Sequence, residues 1–156
     1  MLFDGGMDCR VVVGLGLVVA ACGDNLTVPP PAPRGQGSEA TSDLVIKTAK
    51  EEVPLPGTLL LEMPRQPPPG DNGGMGWPLD AILQKAGVTK YEKLICTDSK
   101  GTNLTLEKQD LDPKIAMPFV KLNRQGSLRF IVFKKTGETW TRGGDLRELT
   151  RVLVVK

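Results

Sequence analysis

One run near the C-terminus constrains the architecture more than any other: Ser127 to Lys134, SLRFIVFK. Leu128, Phe130 and Val132 alternate with Arg129, Ile131 and Phe133, so an extended chain here carries apolar groups on both faces. A strand of that kind is buried on two sides. Its surroundings have the same β rhythm. KLICT is followed by a turn at Asp98-Ser99-Lys100-Gly101, then TNLTL, an acidic bend at Gln109 to Pro113, and IAMPFVKL. A turn at Asn123 to Gly126 leads into the central run, Thr136-Gly137-Glu138 into TWT, Arg142-Gly143-Gly144-Asp145 opens a bend, and Leu149 to Val155 makes a closing strand.

Upstream, LVIKTA and TLLLEM read as two short strands separated by the turn-forming Pro54-Leu55-Pro56-Gly57. The segment Pro64 to Gly76, PRQPPPGDNGGMG, is too rich in proline and glycine for regular structure and reads as a surface loop. Trp77 to Gly87 reads as a short helix, with Pro78 in its first turn and Gly87 in the left-handed stop position. Leu79, Ile82, Leu83 and Ala86 then share one face, which belongs in the core. The fold class expected is α+β: a β-rich single domain of mixed sheet with one or two short helices, spanning residues 43–156.

The first 42 residues read as an address and a tether. Val11 to Cys22, VVVGLGLVVAAC, is an uncharged apolar run that is too short for a bilayer span of about 20 residues and fits a signal peptide over residues 1–21. Its end, Val19-Ala20-Ala21-Cys22, resembles the lipobox of bacterial lipoproteins, in which the cysteine is lipidated and becomes the mature terminus. That resemblance implies a lipid anchor at Cys22, a place on the periplasmic side of a membrane in the cell envelope, and, without aspartate directly after the cysteine, a preference for the outer membrane. Asp4 and Asp8 depart from the positive start such leaders carry, and Met7 is an alternative initiation site. Gly14 and Gly16 lack the third glycine and the βα unit of a dinucleotide site. Residues 22–42 hold Pro29-Pro30-Pro31 and no aliphatic periodicity, so they form an extended spacer of roughly 3 Å per residue.

Composition removes several chemistries. The chain has no histidine, which excludes Ser-His-Asp and Cys-His catalysis and takes away the commonest zinc ligand. Of its three cysteines, Cys9 leaves with the leader and Cys22 is lipidated, so Cys96 is the one remaining thiol and the fold is held by its core. Removing Arg10, Asp4 and Asp8 from 20 basic and 18 acidic side chains leaves a net charge of +3, too small and dispersed for nucleic-acid binding. Lys134, Lys135, Arg142, Arg147 and Arg151, with the Gly143-Gly144 bend, offer an anion-binding nest or, alternatively, the solvated face of edge strands. Trp77 and Trp140 read as core or rim aromatics, Asp110 and Asp112 as turn residues, and Asp71 with Asn72 as too few oxygens for calcium.

The order PLDAILQKAGV, LICTDSKGTNLTL, MPFVKLN, GSLRFIVF and RELTRVLVV resembles the latter half of the molybdopterin-binding domain of the sulfite oxidase family. Gly126 and Arg129 match its G-x-x-R spacing, and Leu149 and Val152 its closing strand. The resemblance covers Trp77 to Lys156 and implies a sulfite-oxidase-like fold and molybdopterin as the cofactor to test. In that family one cysteine in a loop before the helix holds the metal. Here the corresponding loop, Pro64 to Gly76, has no cysteine, which leaves Cys96, Arg129 and Arg142 as candidate cofactor contacts. Two functional readings stand: a lipid-anchored envelope protein whose domain binds a partner or small molecule without catalysis, which is favoured, and a molybdopterin-dependent oxidoreductase or redox accessory subunit.

Overall fold

The computed structural model describes residues 42–70 and 73–156. The leader, Cys22, the spacer and the pair Asp71 and Asn72 lie outside the described residues. Among the described residues no helix is long and apolar enough to cross a membrane.

Among the described residues nine strands form two sheets. The first is mixed, in the order β2-β1-β9-β4-β5: β1 (Leu44–Lys47), β2 (Glu52–Leu55), β4 (Lys93–Asp98), β5 (Asn103–Leu106) and β9 (Leu149–Val155). The first and last strands, β1 and β9, make its parallel pair, Ile46 lying opposite Val152. The second sheet is antiparallel, in the order β3-β6-β7-β8: β3 (Gly76–Pro78), β6 (Ala116–Leu122), β7 (Leu128–Thr136) and β8 (Thr139–Leu146). Two short helices, α1 (Gly57–Glu62) and α2 (Leu79–Lys85), and a 3-10 turn at Lys108–Leu111 complete the domain. The β-rich α+β class expected from the sequence is the one found.

The inner faces of the sheets share one apolar core. Leu44, Ile46, Leu94, Cys96 and Val152 from the mixed sheet meet Val120, Leu128, Phe130 and Val132 from the antiparallel sheet, with Leu60 of α1 and Leu79, Ile82 and Leu83 of α2. The face read for α2 is thus buried. Gly87, at φ +80°, ends the helix in the left-handed stop position, while Trp77 and Pro78 belong to β3 rather than to the helix. Trp77 is fully buried, its indole N–H donating to the Met63 carbonyl at 3.1 Å and the Arg65 guanidinium standing 5.1 Å over its ring.

Two expectations are corrected at the N-terminal end. TLLLEM is helical, as α1, because Pro56 at its N-cap receives the first-turn N–H groups of Leu59 and Leu60, and Leu60 turns inward to cover the core. A short apolar run carries no periodicity able to separate strand from helix. Conversely, Pro54 and Leu55 lie in β2 rather than in a turn, since β2 is the outermost strand of its sheet and proline is tolerated on an edge.

Strand β7 is covered on both sides. On the outer face of its sheet, Phe119, Ile131 and Phe133 form a second cluster with Met117 and Trp140, the two phenyl rings meeting edge to face at 6.1 Å. Among the described residues no helix residue belongs to this cluster, and the Pro64 to Gly76 loop touches it. A Cβ at Gly70 would come within 2.9 Å of Trp140 Cβ on β8. The Gly73 carbonyl accepts the Lys121 ammonium of β6 at 3.1 Å, and Gln66 pairs with Gly76 through N–H···O bonds of 2.8 and 2.9 Å. Gly76 lies flush on β6, where a Cβ would strike the Val120 carbonyl, sit 2.7 Å from Phe119 Cε1 and 2.8 Å from Lys121 Cβ. Backbone on one side and a fully buried ring on the other leave nowhere for it to go. Gly76→Ala is therefore expected to cost about 3 kcal/mol, read as a lowered urea midpoint with unchanged slope; a loss below about 0.5 kcal/mol would mean that the loop does not seat on β6 as described.

Candidate functional site

Two hairpin turns and one crossing between the sheets converge at one end of the domain: Asp98–Thr102 between β4 and β5, Asn123–Ser127 between β6 and β7, and Arg147-Glu148, where the chain passes from β8 to β9. They enclose a polar recess of about 430 Å³, floored by Leu146 and flanked by the Arg129 and Asp145 side chains. Two of the turns are locked by their own side chains. Asp98 Oδ1 accepts the amides of Lys100 at 2.9 Å and Thr102 at 2.8 Å, and Asn123 Oδ1 accepts those of Gln125 at 2.8 Å and Ser127 at 3.0 Å. The third turn is tied to the first: the Ser99 amide donates to the Glu148 carbonyl at 2.9 Å, and its hydroxyl donates to the Glu148 carboxylate.

The electrostatics are balanced. Lys100, Arg129 and Arg147 face Asp98, Asp145 and Glu148 around the recess. Arg129 engages Asp145 with both ends of its guanidinium, Nε to Oδ1 at 3.0 Å and Nη2 to Oδ2. Desolvation works against the Asp98 carboxylate. The amides and hydroxyl of the turn, with the nearby Lys100 ammonium, outweigh it and hold its pKa below the ordinary carboxylate value. The side chains of Arg147 and Gln125 make no hydrogen bond or ion pair with the described residues and are the groups most available to a bound molecule. The Ser99 hydroxyl has only a carboxylate beside it, so it lacks the imidazole-like base that activates a serine nucleophile. This arrangement can hold a polar group in a fixed geometry.

The candidate cofactor contacts are not brought together. Cys96 lies on the inner face of β4, fully buried in the core between Val152 and Leu104, and burial pushes its thiol up to about 12. Arg129 lies on the outer face of the antiparallel sheet at the recess. Arg142 lies opposite Phe133 on that same outer face, outside the recess. The basic residues of the last quarter are likewise dispersed: Lys134 pairs with Asp110 at 2.9 Å, Arg147 is in the recess, and Arg151 is on the outer face of the mixed sheet. Gly143 and Gly144 form no nest. Both have negative φ, and they sit where the β7–β8 register shifts, Gly144 closing against Leu104 of β5. Among the described residues no group of acidic or cysteine side chains is spaced to hold a metal ion.

Two of the three turns around the recess, at Asp98 and Asn123, were legible in the sequence, but not the convergence; the third bend, expected at Arg142 to Asp145, lies instead at Arg147-Glu148, because Gly143 and Gly144 are taken into strand β8 where it pairs with β7. Asp98, Asn123, Asp145 and Glu148 carried no functional signal, since each is an ordinary turn or strand-end polar residue until the three connections meet. No family model, no curated protein and no solved structure matches the chain.

Two outcomes follow from these charges and this burial. In a Cys9→Ser, Cys22→Ser background, Cys96 is expected to resist a thiol reagent in the folded protein and to react once urea unfolds it. Its raised pKa means that the folded state keeps a proton that the unfolded state loses above pH 9.0, so stability declines as pH rises from 9 toward 12. Cys96→Ala is expected to show a shallower decline in urea midpoint over that range. Asp98 acts with the opposite sign: its lowered pKa stabilises at neutral pH and that contribution disappears as acid protonates it. Asp98→Asn is expected to narrow the difference between urea midpoints at pH 7 and pH 3; an undiminished difference would remove Asp98 from the acid response.

Proposed function

We propose that this chain is a lipid-anchored cell-envelope protein, held at Cys22 on the periplasmic side of a membrane, whose folded domain binds a small ligand or protein partner without catalysis. The observation that carries the binding part is the turn-end recess: side chains lock two of its turns from within and a serine ties the third to them, leaving Arg147 and Gln125 facing solvent. Rigid turns that present a few unpartnered polar groups lose little freedom when a ligand settles on them. The anchor rests on the apolar leader and its Val-Ala-Ala-Cys end, and the proline-rich spacer supplies reach from the membrane. A sulfite-oxidase-like, molybdopterin-binding-like frame for residues 77–156 is part of the same proposal, resting on the order of short helix, hairpin, long strand and closing strand.

The alternative, a molybdopterin-dependent oxidoreductase or redox accessory subunit, needs a thiolate that can reach a metal. The burial of Cys96 and its separation from Arg129 and Arg142 weigh against it.

Expressed as the full chain in a bacterium that makes the cofactor, the protein is expected in the membrane fraction. Its mature terminus should be Cys22 and its mass should include a diacylglyceryl group; Cys22→Ser is expected to abolish both. A mature protein without lipid would remove the anchor. Stoichiometric molybdenum in the purified protein, by elemental analysis, would replace the binding reading with the redox one.

A further inference from the structure

The end of the domain opposite the turns holds a different kind of cavity. Strands β4 and β6 both run from it toward the polar recess, so the two sites share strands but no residues. This second cavity has a volume of about 400 Å³. Its floor is Leu79, Leu94 and Ala116, all essentially buried, and its walls include Pro78, Pro118 and Met117. Two polar groups stand in the lining, and they are joined: the Tyr91 hydroxyl donates to Asp80 Oδ1 at 3.0 Å.

Asp80 is the charged group of the lining and stands exposed at its rim. Its other oxygen accepts the Gln84 amide at 2.8 Å, so both donors it meets are neutral, and none of the ion pairs among the described residues includes it. Its negative charge, solvent-exposed in the first turn of α2, has no ion-pair partner at the cavity mouth. The neighbouring hydroxyl registers that charge: burial first, then the Asp80 carboxylate, push Tyr91 up to about 12. An apolar floor, proline walls, one aromatic ring and one carboxylate without an ion-pair partner at the rim together define a chemical complement, an apolar body carrying a cationic head. At roughly 30 Å³ per non-hydrogen atom, the cavity accommodates about a dozen.

We propose that this cavity is a binding site for a small amphiphilic amine, its apolar body on Leu79, Leu94 and Ala116 and its ammonium beside Asp80 and the Tyr91 ring. The ligand class differs from that suited to the turn-end recess, whose charges are balanced and whose floor offers one leucine. The inference rests on the binding reading only in adding a ligand. Molybdenum in the protein would overturn that reading and leave this site standing, and the titration below tests this site without touching the other.

The test uses the full chain in detergent, titrated with phenethylamine and with two isosteres, the neutral 2-phenylethanol and the anionic phenylacetate, and followed by isotope-edited NMR. Saturable shifts are expected at the methyl groups of Leu79, Leu94, Ala116 and Met117 with phenethylamine. Phenylethanol is expected to bind about tenfold more weakly, and phenylacetate not measurably. Asp80→Asn keeps the shape of the side chain and one of its two acceptor positions, left for the Tyr91 hydroxyl, but removes the charge; it is expected to weaken phenethylamine about tenfold while leaving phenylethanol unchanged. Lys100→Ala in the opposite recess is expected to change neither. Equal affinity for the three compounds, shifts confined to residues outside the cavity, or no saturable shift at millimolar amine would each overturn the proposal.

Discussion

Everything in this domain is arranged around the burial of β7 on both faces. Leu128, Phe130 and Val132 enter the shared core, and Ile131 and Phe133 point the opposite way. The inner set is covered by the mixed sheet and two short helices, an ordinary solution for a layered fold. The outer set, with Phe119, is covered by irregular chain. Burying three such side chains is worth about 6 kcal/mol, a large share of the 5–15 kcal/mol by which a domain of this size is stable. The proline- and glycine-rich loop is therefore a structural layer. Its seat on Gly76, its contact at Gly70 and the hydrogen bond from Lys121 are the means by which backbone with few side chains of its own lies close against Phe119 and Trp140.

With both faces of the antiparallel sheet occupied and the inner face of the mixed sheet in the core, concave surface is left at the two ends of the strands. One end is walled by hairpin turns and is polar because turn residues are polar; the other is walled by proline, the start of α2 and the 3-10 turn, and is apolar because it continues the core outward. Cys96 sits between them in the middle of β4, remote from solvent at either end. Its thiol behaves there as a small hydrophobic side chain, whatever its redox potential in an open setting.

Local chemistry made much of this legible in advance. The turns at Asp98 and Asn123, the stop at Gly87, the buried face of α2 and the closing strand Leu149–Val155 depend on residues within a few positions of one another, and each stands where its residues placed it. The errors came where short-range pattern is silent. TLLLEM has a strand's composition and a helix's neighbours, and Pro54 is acceptable in β2 only because no strand lies beyond it. Trp77-Pro78 reads as helix and extends instead, pairing with Val120 and Phe119 of β6. The candidate trio Cys96, Arg129 and Arg142 failed for a period-of-two reason: in strands of opposed sheets, residue parity together with sheet membership decides whether side chains meet.

The sequence by itself determined that the chain is β-rich, that one strand must be covered twice, that histidine chemistry is unavailable and that Cys96 lies in an apolar strand; these follow from composition and from spacing along a few residues. Only the tertiary structure decided that the loop lies against the outer face, that two hairpins and a crossing between sheets close one polar recess, and that Asp80 and Tyr91 meet across eleven positions at an apolar cavity. Those are encounters between segments far apart in the chain. The free energy that fixes them is the burial of β7, which no local window of sequence contains.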